Sequence, residues 1–295
     1  MTILIDRTTK VIVQGVTGAI GRSIAGRMME TGTAIVGGVT PGKGGETLGS
    51  LPIFDSCHEA VDQTGANASF MAVPPGAVLD ACFEAIDAGI RTVVIYCEGV
   101  PVVDAVRIAR FARDRGAIVI GPNAAGCISP GYANLSDLDD ANINPGRVGI
   151  VSKSGTLTYE VADGLRRHRL GVSTIVCLGG DPVIATDHAD VLRLFEADPD
   201  TDIVVLLGEI GGRSELAAAD MLRTMTKPSV AFIAGRHAPA GRRMGHAGAI
   251  AASPSEDWLH KTQCLAAAGA IVVERLTDIA AAVADTHGRA RLEHA

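Results

Sequence analysis

Along the first half of the chain, short apolar runs alternate with stretches that carry apolar residues at helical spacing. Lys10-Val11-Ile12-Val13-Gln14, Ala34-Ile35-Val36-Gly37, the run 68–73, the run 92–96 and the run 117–120 read as strands. Between them the pattern predicts helices over 20–31, 57–63, 76–88 and 102–115. Such alternation implies a parallel sheet with right-handed crossovers. Residues 122–146 break it: Gly126, Pro130, Gly131, Asn134, Asp137, Asp139, Asp140, Pro145 and Gly146 predict a linker or long loop. A second series begins at Arg147-Val148-Gly149-Ile150-Val151, with further strands at 173–178, 202–207, 229–234 and 270–273. Its helices are expected near 156–168, 187–197, 214–225, 256–268 and 276–286. The fold class is therefore α/β with two parallel sheets, in domains over 1–122 and 147–295 joined by a linker over 123–146.

Composition sharpens this picture. The 295 residues suffice for two cores, and 47% apolar content, 3% aromatics and 35 glycines suit Val/Ile/Ala strands with glycine turns better than a β-sandwich. A formal charge of −7 argues against a broad nucleic-acid surface. No apolar run reaches the roughly 18 residues of a membrane span, and Met1-Thr2-Ile3-Leu4-Ile5-Asp6 lacks the form of a signal peptide, so no membrane association is expected. Cys57, Cys82, Cys97, Cys127, Cys177 and Cys264 form no C-x-x-C pair and read as reduced, mostly buried thiols of a cytoplasmic protein.

Candidate chemistry sits in the glycine turns. Gly15-Val16-Thr17-Gly18-Ala19-Ile20-Gly21 follows a strand and opens a helix, so its amides can cradle phosphate at the positive helix end. A dinucleotide enzyme should place Asp or Glu at the end of the second strand to hold a ribose hydroxyl. That strand instead runs into Gly37-Gly38-Val39-Thr40-Pro41-Gly42-Lys43-Gly44-Gly45, whose lysine suits a ligand with extra phosphate, as NADP or coenzyme A has. In the second half, Ser152-Lys153-Ser154-Gly155-Thr156-Leu157 offers hydroxyls and amides at a helix start, a phosphate or carboxylate site. Gly208-Glu209-Ile210-Gly211-Gly212 puts a carboxylate at a strand's C-terminal edge, and Gly179-Gly180-Asp181-Pro182 should join the same rim.

The histidine of Gly245-His246-Ala247-Gly248-Ala249-Ile250 completes the set. An imidazole between small residues has little steric cover, and no companions at metal-ligand spacing are present, so no metal site is expected. Such an open mounting suits a nucleophile that must meet a bulky phosphoryl donor. A hydrogen bond from one imidazole nitrogen to Glu209 would leave the other unprotonated and nucleophilic.

Together these segments resemble the α subunit of succinyl-CoA synthetase, the succinate–CoA ligase family, from Ile3-Leu4-Ile5-Asp6 to about Ala282. The most specific words are 37–45, 149–160, 208–212 and 243–250. The resemblance implies a Rossmann-type CoA-binding domain followed by a flavodoxin-like ligase domain. It also implies a phosphohistidine at His246 with Glu209 as its orienting carboxylate. Family CoA contacts carry over to Thr17, Gly18, Ala19, Ile20, Lys43, Tyr96, Cys97 and Glu98. Ser154, Gly155 and Thr156, with Tyr159 beside them, match the phosphate- and substrate-holding helix start. A separate ATP-grasp β subunit, in an αβ or α2β2 assembly, is implied to bind ATP or GTP with Mg.

Three segments depart from the family's pattern. Asn123 is followed by Ala124-Ala125 in place of Cys-Pro or Cys-Ala. The stretch 183–188 replaces a Pro-Gly turn followed by Ser/Thr and an aromatic, and 136–143 replaces a segment usually containing Pro-Gly-His. The last two fall where the carboxylate substrate is expected, so malate, citrate or sulfoacetate stand beside succinate as candidate acids. A CoA-binding regulatory paralogue without turnover is the alternative from another class, and an NADP dehydrogenase the remaining one.

Overall fold

The computed structural model describes residues 2–239 and 241–293. The chain forms two compact units, one of Leu4–Ala141 with Val183–Thr186 and one built on Asn142–Pro182 and the chain from Asp187 onward. The first unit runs β1 (Lys10–Gln14), α1 (Ala19–Glu30), β2 (Ala34–Val39), β3 (Thr47–Leu48), β4 (Leu51–Phe54), α2 (Cys57–Thr64), β5 (Ala68–Met71), α3 (Val78–Asp87), β6 (Thr92–Ile95), α4 (Val102–Arg115) and β7 (Ile118–Ile120). Its sheet has the order β3-β4-β2-β1-β5-β6-β7, parallel apart from the β3–β4 pair. From β4 onward that is the doubly wound order of a Rossmann unit, with the strand order reversing between β1 and β5.

Strands β5 and β6 are buried along their whole length, as expected of parallel strands covered by helices on both faces. Met71, Val93 and Ile95 share one core there with Val78, Cys82 and Ile86 of α3 and Ile108 of α4. The helices stop where the local chemistry stops them. Ser56 caps α2 by accepting from the Glu59 amide at 3.1 Å, and α2 and α4 end on Gly65 and Gly116 in left-handed conformation.

Where a linker loop was expected, the chain forms an antiparallel hairpin, β8 (Gly126–Ser129) with β9 (Ala133–Ser136). Its strands mix Gly, Ser and Asn, so no hydrophobic alternation announces them. The polar side chains are satisfied internally: Ser136 donates to Asn134 at 2.5 Å, and Asn134 to the Leu138 carbonyl at 2.9 Å. The unit accordingly extends to Ala141, well past residue 122. Segment 183–186 also belongs to it, with the Ala185 amide on the Gly121 carbonyl and the Thr186 hydroxyl on the Val119 carbonyl.

The second unit runs β10 (Pro145–Ser152), α5 (Gly155–Arg167), β11 (Val172–Cys177), α6 (His188–Ala197), β12 (Ile203–Glu209), α7 (Ser214–Leu222), β13 (Ser229–Ala234), α8 (Trp258–Ala267), β14 (Ile271–Val272) and α9 (Ile279–Glu293). Its parallel strands lie in the order β14-β13-β12-β10-β11, the flavodoxin-like arrangement with a switch point between β10 and β12. Among the described residues no helix is long and apolar enough to cross a membrane.

Candidate active site

In each unit the glycine turns emerge at the C-terminal edge of the sheet. In the first, residues following β1, β2 and β5 enclose a cavity of about 1030 Å³. Gly15, Thr17, Gly18, Ala19, Ile20 and Gly21 form one wall, Thr40 and Pro41 a second, and Ala72 to Pro75 with Cys97 a third. Gly15 has φ +79°, and a Cβ there would lie 2.6 Å from the Ala72 carbonyl oxygen, so the turn requires glycine. No side chain caps α1 at Gly18, leaving the amides of its first turn directed at the cavity. A large cavity over helix-start amides fits a long ligand that carries phosphate.

The remaining residues carried over by resemblance are placed differently. Lys43 is exposed on its turn and pairs with Glu46 at 3.3 Å, and neither it nor Tyr96 nor Glu98 lines the cavity. The Tyr96 hydroxyl donates to Asp137 at 2.9 Å, and Asp137 also pairs with Arg27, so Asp137 fastens the chain after β9 both to the end of β6 and to α1. Glu98 is exposed.

In the second unit the switch point gathers three turns. Ser154 caps α5 by accepting from the Leu157 amide at 3.3 Å, which leaves the Gly155 and Thr156 amides at the helix start without an intrahelical partner. Tyr159 lies one turn on and is exposed. Glu209 is the last residue of β12, and its Oε2 accepts from Nδ1 of His246 at 2.8 Å. A carboxylate oxygen accepts, so in the neutral ring the proton sits on Nδ1 and Nε2 keeps its lone pair. The His246 side chain is 29% exposed and that of Glu209 11%, an arrangement that opens the imidazole and shields its orienter.

The hydrogen bond to Glu209 raises the pKa of His246 above its ordinary value, against burial and the nearby Lys153 ammonium, which lower it. The ring lies flat on Gly180, where a Cβ would come within 2.7 Å of Cδ2 and 2.8 Å of Nδ1. The Gly248 amide donates to the Gly180 carbonyl at 2.9 Å, tying the histidine loop to the turn after β11. Nothing in the sequence marks Gly180 as more than a turn residue; its role follows from the loop that packs on it. Among the described residues no group of three or more His, Cys, Asp or Glu side chains could hold a metal ion.

A CoA-sized cavity on a Rossmann unit, followed by a carboxylate-held histidine on a flavodoxin-like unit, defines the class of CoA-ligase subunits. The chain matches the CoA binding domain model over residues 6–99 and the CoA-ligase model over 151–271. It is 48% identical over 285 residues to succinate–CoA ligase [ADP-forming] subunit alpha 2 of Archaeoglobus fulgidus, covering 97% of this chain and 99% of that one. Malate–CoA ligase subunit alpha of Methylorubrum extorquens is 42% identical over 295 residues, covering 98% and 100%. The structure of ATP citrate lyase from Methanothrix soehngenii, in complex with citrate and coenzyme A, superposes with a TM-score of 0.89 at 26% identity. That match covers 99% of this chain, which spans about half of the lyase chain (52%). The chain belongs to the succinate–CoA ligase α-subunit family.

Proposed function

We propose that this chain is the α subunit of a nucleoside-diphosphate-forming acid–CoA ligase that carries a phosphoryl group on Nε2 of His246. The observation that carries this reading is the 2.8 Å bond between His246 and Glu209 at the switch point of the ligase unit. Nε2 attacks the γ-phosphorus of ATP or GTP and the nucleoside diphosphate leaves. A carboxylate oxygen of the acid then attacks the phosphohistidine, freeing Nε2 and forming an acyl phosphate. The CoA thiolate adds to the acyl carbon, inorganic phosphate departs, and the thioester remains. The Gly155 and Thr156 amides at the start of α5 are assigned to the transferring phosphoryl oxygens, and the cavity of the first unit to CoA.

The nucleotide and its Mg are assigned to an ATP-grasp β subunit in an αβ or α2β2 assembly, a reading supported by the alpha-subunit names of the relatives. Six free cysteines, four of them buried, accord with work in the cytoplasm. The acid is assigned to the short di- and tricarboxylates or their sulfonated analogues, with succinate first and malate, citrate and sulfoacetate as alternatives. Two of the three segments that set this chain apart have structural employment: Asp137 holds Arg27 and Tyr96, and Thr186 holds β7.

Co-expression with the cognate ATP-grasp subunit, followed by mass spectrometry of acyl-CoA products from a panel of these acids, tests the reading. One favoured thioester that requires CoA and nucleotide is expected. No thioester from any acid together with no phosphate on His246 would replace it with the CoA-binding regulatory reading.

The contact with Gly180 gives a second test. Gly180→Ala is expected to slow phosphorylation of His246 on the order of 10- to 100-fold, because the added methyl displaces the imidazole from its carboxylate. CoA binding, measured by calorimetry, should be unchanged. A wild-type phosphorylation rate in this variant would show that the ring need not rest where it does.

A further inference from the structure

Beneath Glu209 lies an ion pair that the phosphoryl chemistry above does not use. Glu215 of α7 and Lys261 of α8 meet at 2.5 Å, and both side chains are 0% exposed. A buried pair of this kind is weak evidence for stability, since well-packed apolar residues often serve as well or better. Where its remaining bonds go is therefore informative. Lys261 spends its three donors on Glu215, on the Glu209 carbonyl at 2.8 Å and on the Gly211 carbonyl at 2.5 Å. Glu215 uses its other oxygen to accept the Glu209 amide at 3.1 Å. Both backbone polar groups of Glu209 are thus held by the pair, at the point where β12 ends and its carboxylate turns toward His246. Gly208 leaves room for this, since a Cβ there would lie 2.6 Å from Cγ of Glu215.

The surroundings support a fixed charge at Glu215. His188 is fully buried beside it, with Nε2 3.3 Å from the Leu207 carbonyl and Nδ1 2.6 Å from the Ser214 hydroxyl. Burial holds the His188 pKa below its ordinary value; burial also pushes that of Glu215 up, but the charges around it, those of Lys261 and Lys153 among them, outweigh this and hold it down. The hydrogen bonds that join the two side chains to each other and to the Glu209 and Gly211 backbone leave them no freedom to bond elsewhere.

We propose that Glu215 and Lys261 are positioning residues that clamp the Glu209 backbone so that its carboxylate meets Nδ1 of His246. The proposal rests on the reading of His246 as the phosphoryl carrier only for its kinetic consequence; the geometric consequence is independent of it.

The test uses the full chain with its partner subunit and the paired substitution Glu215→Leu with Lys261→Met, which removes both charges at similar volume. CoA affinity reports folding of the first unit, and circular dichroism that of the chain as a whole. The ionisation of His246 is followed by 15N NMR on the α chain. The groups that act on this ring are Glu209, Lys153 and Asp181, none of which is altered. The folded double variant is expected to titrate His246 at lower pH than the wild type, to phosphorylate it at least tenfold more slowly, and to lose little more on adding Glu209→Gln. That non-additivity is what a residue acting through Glu209 must show, and a merely structural defect would not. Unchanged titration and rate, or losses that multiply with those of Glu209→Gln, would overturn the proposal. If the double variant does not fold, Glu215→Gln, which removes only the charge, carries the same comparison on a smaller scale. A wild-type chain never phosphorylated on His246, yet whose titration responds to the pair, would remove the phosphoryl reading and leave the clamp standing.

Discussion

His246→Asn is expected to give a folded chain that takes up no phosphoryl group and makes thioester at least about 10³-fold more slowly, a loss of about 4 kcal/mol in transition-state stabilisation. His246 lies on a loop with its ring partly exposed, so its replacement leaves no cavity in a core. An asparagine amide can still donate to Glu209, so the buried carboxylate keeps a partner and the destabilisation stays small. What disappears is the lone pair on Nε2, and nothing else among the described residues combines nucleophilicity, exposure and an orienting carboxylate at this edge of the sheet. Transfer of label from γ-phosphate-labelled nucleotide to the α chain, read in parallel with thioester formation, checks this. Thioester synthesis within tenfold of wild type in an unlabelled variant would mean direct transfer from nucleotide to acid, with the histidine a bystander.

Much of this machinery is visible in the linear sequence because parallel sheets write themselves plainly. A strand buried on both faces shows as an unbroken apolar run, and all six strands of the Rossmann order except β4 were legible in this way. Hairpin β3–β4 was not, because Thr47-Leu48 and Leu51–Phe54 are too short to establish a period. Hairpin β8–β9 was not, because its residues are those of a loop and its polar groups are satisfied only once it folds. Glu209 and His246 could be paired in advance since each stands among glycines at a turn and the family resemblance singles out Glu209 over Asp181, the other carboxylate expected on that rim. Residues 96–98 show the limit. Which way a side chain points just beyond a strand depends on the local turn, and the chain directs Cys97 to the cavity and Tyr96 to Asp137. Lys261 gave no signal at all. A lysine on an amphipathic helix reads as solvated, and only the packing of α7 and α8 on the β12 turn makes it a buried donor.

Glu209→Gln should separate the two services that this carboxylate performs, choosing the tautomer and stabilising the charge. A glutamine can present its NH₂ to Nδ1, which would then accept and leave the proton on Nε2, the atom that must attack. The plateau rate of phosphorylation is expected to fall by about 10²- to 10⁴-fold, the range that loss of an orienting carboxylate produces in histidine-based relays. The pH dependence moves as well. In the wild type the hydrogen bond to Glu209 raises the His246 pKa, so the reactive neutral ring accumulates only as pH rises through that elevated value. Without the negative charge the pKa falls, and the acid limb of the profile shifts to lower pH even as the plateau drops. Stability follows the same sign. A group whose folded pKa lies above its unfolded one, about 6.5 for histidine, contributes stability that is complete below that value and disappears as pH rises through the folded pKa. The stability difference between wild type and Glu209→Gln that stems from this pair should therefore be largest in mildly acidic buffer and shrink in alkaline buffer. Phosphorylation rates across pH, with urea melts at the two extremes, read both effects. A variant that keeps the wild-type acid limb and plateau would show that Glu209 neither orients nor charges the imidazole.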